Sequence, residues 1–251
     1  MNYNPQKCIS WVVARQCVRL DATGRNLSLV TTPSYKKFLK PVVDPQADFC
    51  DEIENTFASN KKCLFLSVID EPIPIIEHTY HNVFSSKTWE LWKNSAGDFI
   101  FVGPEQRPPR MILIDNDFSF GEVIGDFSNF PLKEFNPLGD LEIRLFSNWL
   151  AESGDIILHA SGVKMDKLGY AFIGTSGAGK STLAAILVEN ESVEVLGEDQ
   201  VILRYLDGQF WIFGTPWHEN QTMCSPSGVP LSHLFFLDRD LKIGASKIKP
   251  L

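Results

Sequence analysis

The sequence predicts an α/β fold, in which an α/β domain follows a smaller β-rich domain. Two observations predict it. Residues 170–188 place a glycine-rich loop between a short apolar run and a segment of helix formers. Residues 1 to about 130 instead contain short apolar runs separated by turn residues, which is typical of strands. We therefore predict a β-rich domain over residues 1–135 and the nucleotide-binding domain over residues 136–251.

The loop at residues 174–181 (GTSGAGKS) fits the phosphate-binding pattern G-x-x-x-x-G-K-[S/T]. Glycines let the backbone approach phosphate oxygens closely, and the start of the next helix adds free N–H groups and a positive dipole end. Lys180 is predicted to reach the β- and γ-phosphates, and the Ser181 hydroxyl to hold Mg²⁺. The predicted nucleotide-binding residues are Gly174, Thr175, Ser176, Gly177, Ala178, Gly179, Lys180, Ser181 and Thr182.

Composition excludes several classes of protein. The chain has 251 residues, 44% of them apolar and 22% charged, which is ordinary for a soluble globular protein. A net charge of −8 argues against a nucleic-acid partner. The sequence contains no run of eighteen apolar residues, so it predicts no membrane-spanning helix. Five cysteines with irregular spacing and no C-x-x-C predict reduced thiols, and the first residues carry no signal pattern, so we expect a cytoplasmic protein.

Several local patterns predict individual elements. Two strands over residues 88–93 and 98–102 flank a turn and predict a hairpin, and Asp207-Gly208 predicts another. Asn136-Pro137 is typical of a helix start, and Gly154 of its end. Residues 234–238 are predicted to form a buried strand. The first half offers no catalytic constellation, and a hydrogen-bonded or exposed role fits His78 and His81 better than a metal site.

Phosphoryl transfer needs more than a P-loop, because a carboxylate must lie near Mg²⁺ and an alcohol acceptor needs a base. Glu198 and Asp199 end a predicted strand shortly after the P-loop helix, where the carboxyl ends of strands line a ligand crevice. From spacing alone, a solvated acidic turn fits them equally well. His159 ends the strand before the P-loop hairpin, and for it a structural role is the alternative.

Three segments together resemble the catalytic domain of HPr kinase/phosphorylase and, more closely, the HPr-kinase-like proteins. They are residues 158–163 (LHASGV), the P-loop, and residues 196–201 (LGEDQV), and the resemblance extends over about residues 138–240. Residues 214–218 (GTPWH) and the strand at residues 234–237 (LFFL) are also similar to the HPr-kinase-like proteins. The resemblance implies a fold related to phosphoenolpyruvate carboxykinase, Mg-ATP, and transfer of the γ-phosphoryl group to a hydroxyl, most often that of a serine. It implies Asp199 as the catalytic base, Glu198 as a metal ligand beside Ser181, and His159 as the active-site histidine.

The sequence departs from this family in two respects. Glu198 stands where the family usually has aspartate, and the family's chain normally continues past the position where this one stops. The second signature of HPr kinase is not recognisable, so neither phosphorylase activity nor HPr as substrate is expected. We predict an ATP-dependent kinase acting on a serine-containing peptide, protein or small molecule, with homo-oligomerisation possible. The alternative is an ATP-binding regulatory or assembly protein that transfers nothing.

Overall fold

The structure, a computed structural model, describes residues 7–23, 29, 32–40, 62–104, 109–127, 136–189, 192–217 and 223–238. Its α-helices are α1 (Pro33–Phe38), α2 (Glu142–Ala151) and α3 (Lys180–Val188), and a 3-10 turn (Gly139–Leu141) leads into α2. Among these described residues, no helix is long and apolar enough to cross a membrane.

The first part of the chain builds a nine-stranded mixed sheet with the strand order β3-β1-β2-β4-β9-β8-β7-β6-β5. Its strands are β1 (Cys8–Val13), β2 (Gln16–Asp21), β3 (Leu39–Lys40), β4 (Cys63–Asp70), β5 (Tyr80–Ser85), β6 (Glu90–Asn94), β7 (Phe99–Val102), β8 (Met111–Ile114) and β9 (Phe120–Gly125). Neighbouring strands are antiparallel except around β4, which runs parallel to both β2 and β9.

The second part builds a seven-stranded mixed sheet with the order β10-β14-β15-β16-β12-β11-β13. Its strands are β10 (Ile156–Leu158), β11 (Ala160–Met165), β12 (Leu168–Ile173), β13 (Val193–Gly197), β14 (Val201–Leu206), β15 (Gln209–Gly214) and β16 (Gly228–Phe236). The start of β16 pairs with β15 and the rest with β12. The two halves of this sheet enclose a small apolar core that includes Ala160, Leu196 and Ile212.

The predicted α/β fold of the phosphoenolpyruvate carboxykinase/HPr kinase-like class is wrong. Strands take 49% of the described residues and helices only 15%, in two large mixed sheets. The physical reason lies in the connections. After β13 the chain does not return through a helix but through the β14–β15 hairpin, and α3 is the one helix within residues 156–189, 192–217 and 223–238. Sequence reasoning extended a local strand–loop–helix pattern to the whole domain.

Predictions of single turns and elements agree with the structure more closely than the predicted fold class does. The predicted hairpins are confirmed, since β6 pairs antiparallel with β7 and β14 with β15. Asp207 and Gly208 take φ of 51° and 81°, as a tight two-residue hairpin turn requires. The predicted helix from Asn136 begins later, because Asn136 Oδ1 accepts the Leu138 amide 3.0 Å away and a 3-10 turn follows. The strand predicted over residues 234–238 forms in part, as the end of β16, but its predicted burial is wrong, since Phe235 and Phe236 are 37% and 60% exposed.

One large apolar core joins the first sheet to α2 and to the near side of the second sheet. It contains Trp11, Phe38, Phe146 and Trp149 together with Phe213 of β15. A buried ion pair reinforces this junction. Arg204 Nε donates to Asp155 Oδ1 at 2.7 Å, and its Nη1 donates to the Ala14 carbonyl in the β1–β2 turn. The domain boundary near residue 135 stays a prediction.

A hydrogen-bonded chain of three side chains also spans the junction. Trp217 Nε1 donates to the Tyr35 hydroxyl at 2.9 Å, and that hydroxyl donates to Glu142 Oε1. Asn136 Nδ2 donates to Glu142 Oε2 at 3.1 Å. Burial raises the pKa of the Glu142 carboxyl to about 7 and outweighs the hydrogen bonds, which lower it. The junction therefore contains a carboxyl group that titrates near neutral pH.

We expect this carboxyl group to make stability fall as pH rises. The folded-state pKa lies above the unfolded one, so the free energy of unfolding is highest below about pH 4.5 and decreases until about pH 7. The whole decrease is about 3 kcal/mol at 1.36 kcal/mol per pKa unit. Urea unfolding between pH 4.5 and 8 should show it, and Glu142→Gln should flatten that part of the curve. Parallel curves for the two proteins would contradict the assignment.

Candidate phosphate-binding site

One edge of the second sheet collects all the predicted site segments. Strand β11 lies between β12 and β13 and is antiparallel to both, so β12 and β13 end at the same edge. Ala160, the first residue of β11, pairs with Ile173, and Gly162 pairs with Gly197. The P-loop follows Ile173 and the acidic pair follows Gly197. Residues far apart in sequence thus meet at one sheet edge.

The loop backbone has the shape that anion binding requires. Gly177 and Gly179 take φ of 78° and 102°, a left-handed conformation that other residues adopt at a cost. When left-handed and right-handed residues alternate along a loop, successive N–H groups can converge on one point. Gly174 is needed for a different reason, since a Cβ there would lie 2.8 Å from the Ala178 Cβ and 3.1 Å from the Leu237 carbonyl oxygen. The two kinds of glycine explain the spacing of the motif.

Helix α3 begins directly after Gly179, which supplies no side-chain cap. The first intrahelical bond runs from the Leu183 amide to the Gly179 carbonyl at 2.9 Å. The earlier amides of a helix have no intrahelical acceptor and are satisfied by caps, water or ligands. Ser181 and Thr182 are exposed at this end. The predicted phosphate-binding segment therefore presents amides, a positive dipole end and hydroxyls to solvent.

Lys180 is folded back into the loop rather than extended into solvent. Its ammonium donates to the Gly174 carbonyl at 2.8 Å and to the Thr175 carbonyl at 3.2 Å, and the residue is 6% exposed. An ammonium has three donors, so one remains when both carbonyl bonds are made. This lysine can hold the loop in shape and still offer a charged donor to an anion.

The acidic pair lies where the sequence predicted it, at the end of β13. Glu198 is buried, whereas Asp199 is half-buried. The Ala160 amide donates to the Asp199 carbonyl at 3.0 Å, which ties the pair to the start of β11. His159, the exposed residue between β10 and β11, directly precedes that amide. The structure therefore brings His159 and the acidic pair to one corner of the edge.

Sequence reasoning missed the buried hydroxyl residues that support this corner. The Thr215 hydroxyl donates to the Gln200 carbonyl at 2.9 Å, and Ser161 Oγ lies 3.5 Å from the Gly197 carbonyl. On the other side, the Ser225 amide donates to the Leu196 carbonyl at 3.1 Å. The break in strand pattern at residues 214–216 was the available signal for Thr215. No local pattern marked Ser161 or Ser225, whose partners are distant in sequence.

Sequence reasoning also missed that the end of β16 borders the P-loop. Strand β16 runs parallel to β12, with Phe236 opposite Ile173. The Leu237 amide donates to the Ile173 carbonyl at 2.7 Å, so the pairing continues one residue beyond the strand. Asp238 therefore follows beside the first residues of the loop.

The sequence predicts a magnesium ion that is held together with a bound polyphosphate. Within the described part of the chain, no group of three or more His, Cys, Asp or Glu side chains is arranged to hold a metal ion. Mg²⁺ usually takes one or two carboxylates or hydroxyls, with phosphate oxygens and water completing its shell. Ser181 and Glu198 are the residues that would hold it here, together with a bound phosphate chain.

A separate cavity of about 360 Å³ lies between the two parts of the chain. It is lined by Trp89 of the first part, by residues 139–144 before and within α2, and by Trp217. Arg144 lies over the Trp89 ring, 5.7 Å from its centre. Trp217 is two residues from Thr215, which bonds the Gln200 carbonyl next to Asp199.

Comparison with protein-family models finds no match to this chain, and comparison with curated proteins finds no relative.

The loop geometry makes a prediction that separates phosphate binding from stability. Gly179 and Gly208 both have positive φ and open space where a Cβ would go. Changing either to alanine should lower the free energy of unfolding by about 1–2 kcal/mol, the cost of a left-handed residue. Only Gly179→Ala should also weaken the binding of inorganic tripolyphosphate, measured by calorimetry. Equal tripolyphosphate affinity in the two variants would show that the loop is not the anion site.

Proposed function

We propose that this chain is an ATP-dependent kinase that transfers the γ-phosphoryl group of Mg-ATP to a hydroxyl group. The expected acceptor is the hydroxyl group of a serine. The observation that carries the proposal is the convergence of a P-loop with an acidic pair and a histidine at one sheet edge. A lone glycine loop would support nucleotide binding only. A carboxylate at the same edge adds the base that transfer to an alcohol needs.

The P-loop residues would bind and orient the phosphate chain. The amides around Gly177 and Gly179 and the start of α3 donate to its oxygens, while the Lys180 ammonium stabilises charge on the group being transferred. Because Lys180 is already held by two loop carbonyls, little rearrangement is needed when phosphate arrives. Binding and charge stabilisation are thereby built into the same backbone.

The acidic corner would supply proton transfer and metal binding. Asp199 would accept the proton of the acceptor hydroxyl, and Ser181 and Glu198 would hold Mg²⁺. When bound, Mg²⁺ neutralises charge on the phosphate oxygens and helps to align them. His159 is exposed beside Asp199 and would contact the acceptor or the transferred group. The Thr215 and Ser161 hydroxyls would fix the corner without contacting either ligand.

The resemblance to HPr-kinase-like proteins supports the same reaction class, because the three resembling segments are those that meet at the edge. We propose a cytoplasmic location, with a peptide, protein or small molecule as acceptor. Cys8 and Cys224 are free thiols, which fits a reducing compartment.

The second candidate is an ATP-binding regulatory or assembly protein without phosphoryl transfer. The burial of Glu198 favours it, since that residue is 6% exposed and makes contacts within the chain. A carboxylate committed to structure would be a poor ligand for Mg²⁺. The two candidates differ in one measurable property, which is turnover that depends on an acceptor.

We expect Asp199→Asn to separate binding from transfer. Phosphoryl transfer should fall by roughly 10²- to 10⁴-fold, the usual contribution of a general base. ATP affinity should stay within about twofold, because the carboxylate does not hold the phosphate chain. The measurement is turnover of radiolabelled ATP with Mg²⁺, with L-serine and serine-containing peptides as acceptors, beside calorimetric ATP binding.

Two control variants make that experiment decisive. Asp207→Asn changes an exposed aspartate in the β14–β15 turn and should leave both quantities unchanged. Lys180→Met keeps the apolar part of the side chain and should abolish transfer while weakening ATP binding. Undiminished transfer in Asp199→Asn would contradict the assigned base. ATP binding without acceptor-dependent turnover in the unmodified protein would favour the regulatory candidate.

A further inference from the structure

The P-loop has two different sides. Helix α3 leaves the loop and packs on β11 and β13, so Ser181, at the start of the helix, and the acidic pair, after β13, lie towards that side. The opposite side is bordered by β16, the other hydrogen-bonded neighbour of β12. A bound triphosphate has two different ends as well, since the γ-phosphate and the nucleoside leave the β-phosphate in different directions. In the proposed function, the metal and the γ-phosphate lie on the α3 side, with Ser181 and the acidic pair.

The β16 side carries groups suited to a nucleoside. Phe236 is 60% exposed and lies opposite Ile173, the residue directly before the loop. Leu237 packs into the core beneath α3, and its neighbours Phe236 and Asp238 are both exposed. An exposed phenyl ring and an exposed carboxylate therefore lie at the end of β16, next to the strand that leads into the P-loop.

We propose that the nucleoside of the bound nucleotide lies over the end of β16, with its base against Phe236 and its N–H or O–H donors on Asp238. This inference rests on the proposed nucleotide binding and assigns the half of the site that the P-loop does not explain. Bases stack on aromatic side chains of any kind, which stabilises them and excludes water. A carboxylate accepts hydrogen bonds and repels phosphate, so it favours the neutral end of the nucleotide.

The alternative for Asp238 is a second metal ligand, and the topology argues against it. Ser181 lies on α3, which crosses β11 and β13, whereas Asp238 follows β16 on the far side of β12. A metal held by Ser181 and Glu198 would be separated from Asp238 by the loop itself. The end of β16 is therefore better placed to contact the nucleoside than the γ-phosphate.

The test compares ATP with inorganic tripolyphosphate, which has three phosphates but no nucleoside. Binding of ATP and of inorganic tripolyphosphate is measured by calorimetry at fixed Mg²⁺. Phe236→Ala should weaken ATP binding by roughly 5- to 150-fold, the value of one base stack, and leave tripolyphosphate binding within about twofold. Asp238→Asn should weaken ATP binding but leave tripolyphosphate binding equal or stronger, because a negative charge near a polyanion has been removed. Phe210→Ala is the matched control, since Phe210 is 50% exposed at the distant β14–β15 hairpin.

The possible outcomes are distinct. A loss of ATP affinity in Phe236→Ala and Asp238→Asn, with tripolyphosphate affinity retained, supports the assignment. Equal losses for both ligands would mean that these residues shape the loop or the metal site, and would overturn it. Unchanged ATP affinity in both variants would overturn it as well. If the unmodified protein bound neither ligand, the proposed nucleotide binding itself would fail, which separates that failure from a misplaced nucleoside.

Discussion

The position of β11 between β12 and β13 is the constraint on which the site depends. Both neighbours are antiparallel to β11, and this alone makes them end at the same edge. The P-loop and the acidic pair are each placed by that pairing. The hydrogen bond from the Ala160 amide to the Asp199 carbonyl then fixes the corner where His159 lies. A shift in the register of β11 would separate the phosphate-binding residues from the candidate base.

The glycine-rich loop at residues 174–181 lies here between β-strands and a single helix. Its physical requirements are local, namely two left-handed glycines, a close approach at Gly174 and a helix start. A strand on each side of β12 is sufficient to hold those features in place, and no layer of crossover helices is needed. Function depends on the residues of a site rather than on the class of fold. The proposed function therefore does not depend on the α/β fold class that the sequence predicted.

The two parts of the chain are joined by polar groups as well as by a shared apolar core. Arg204 bonds Asp155 and the Ala14 carbonyl, and the Tyr35–Glu142 pair reaches Trp217. Trp217 is close in sequence to Thr215, which holds the segment beside Asp199. Glu142, whose pKa is raised by burial, is therefore linked to the segment beside Asp199 through Tyr35 and Trp217. Buried polar networks of this kind favour one arrangement of the packed parts over others.

By itself the sequence determined the local features of this protein. The glycine spacing of residues 174–181, the helix that follows, and the Asp207-Gly208 turn depend on backbone conformations of neighbouring residues, and such preferences are visible in a linear pattern. Tertiary structure alone decided the rest. Three features depend on pairing between distant segments. These are the hairpin that follows β13 in place of a helix, the contact of Thr215 with the Gln200 carbonyl, and the position of β16 beside the loop. Strand pairing is non-local, and hydrophobic periodicity states which face is buried but not which strand lies beside it.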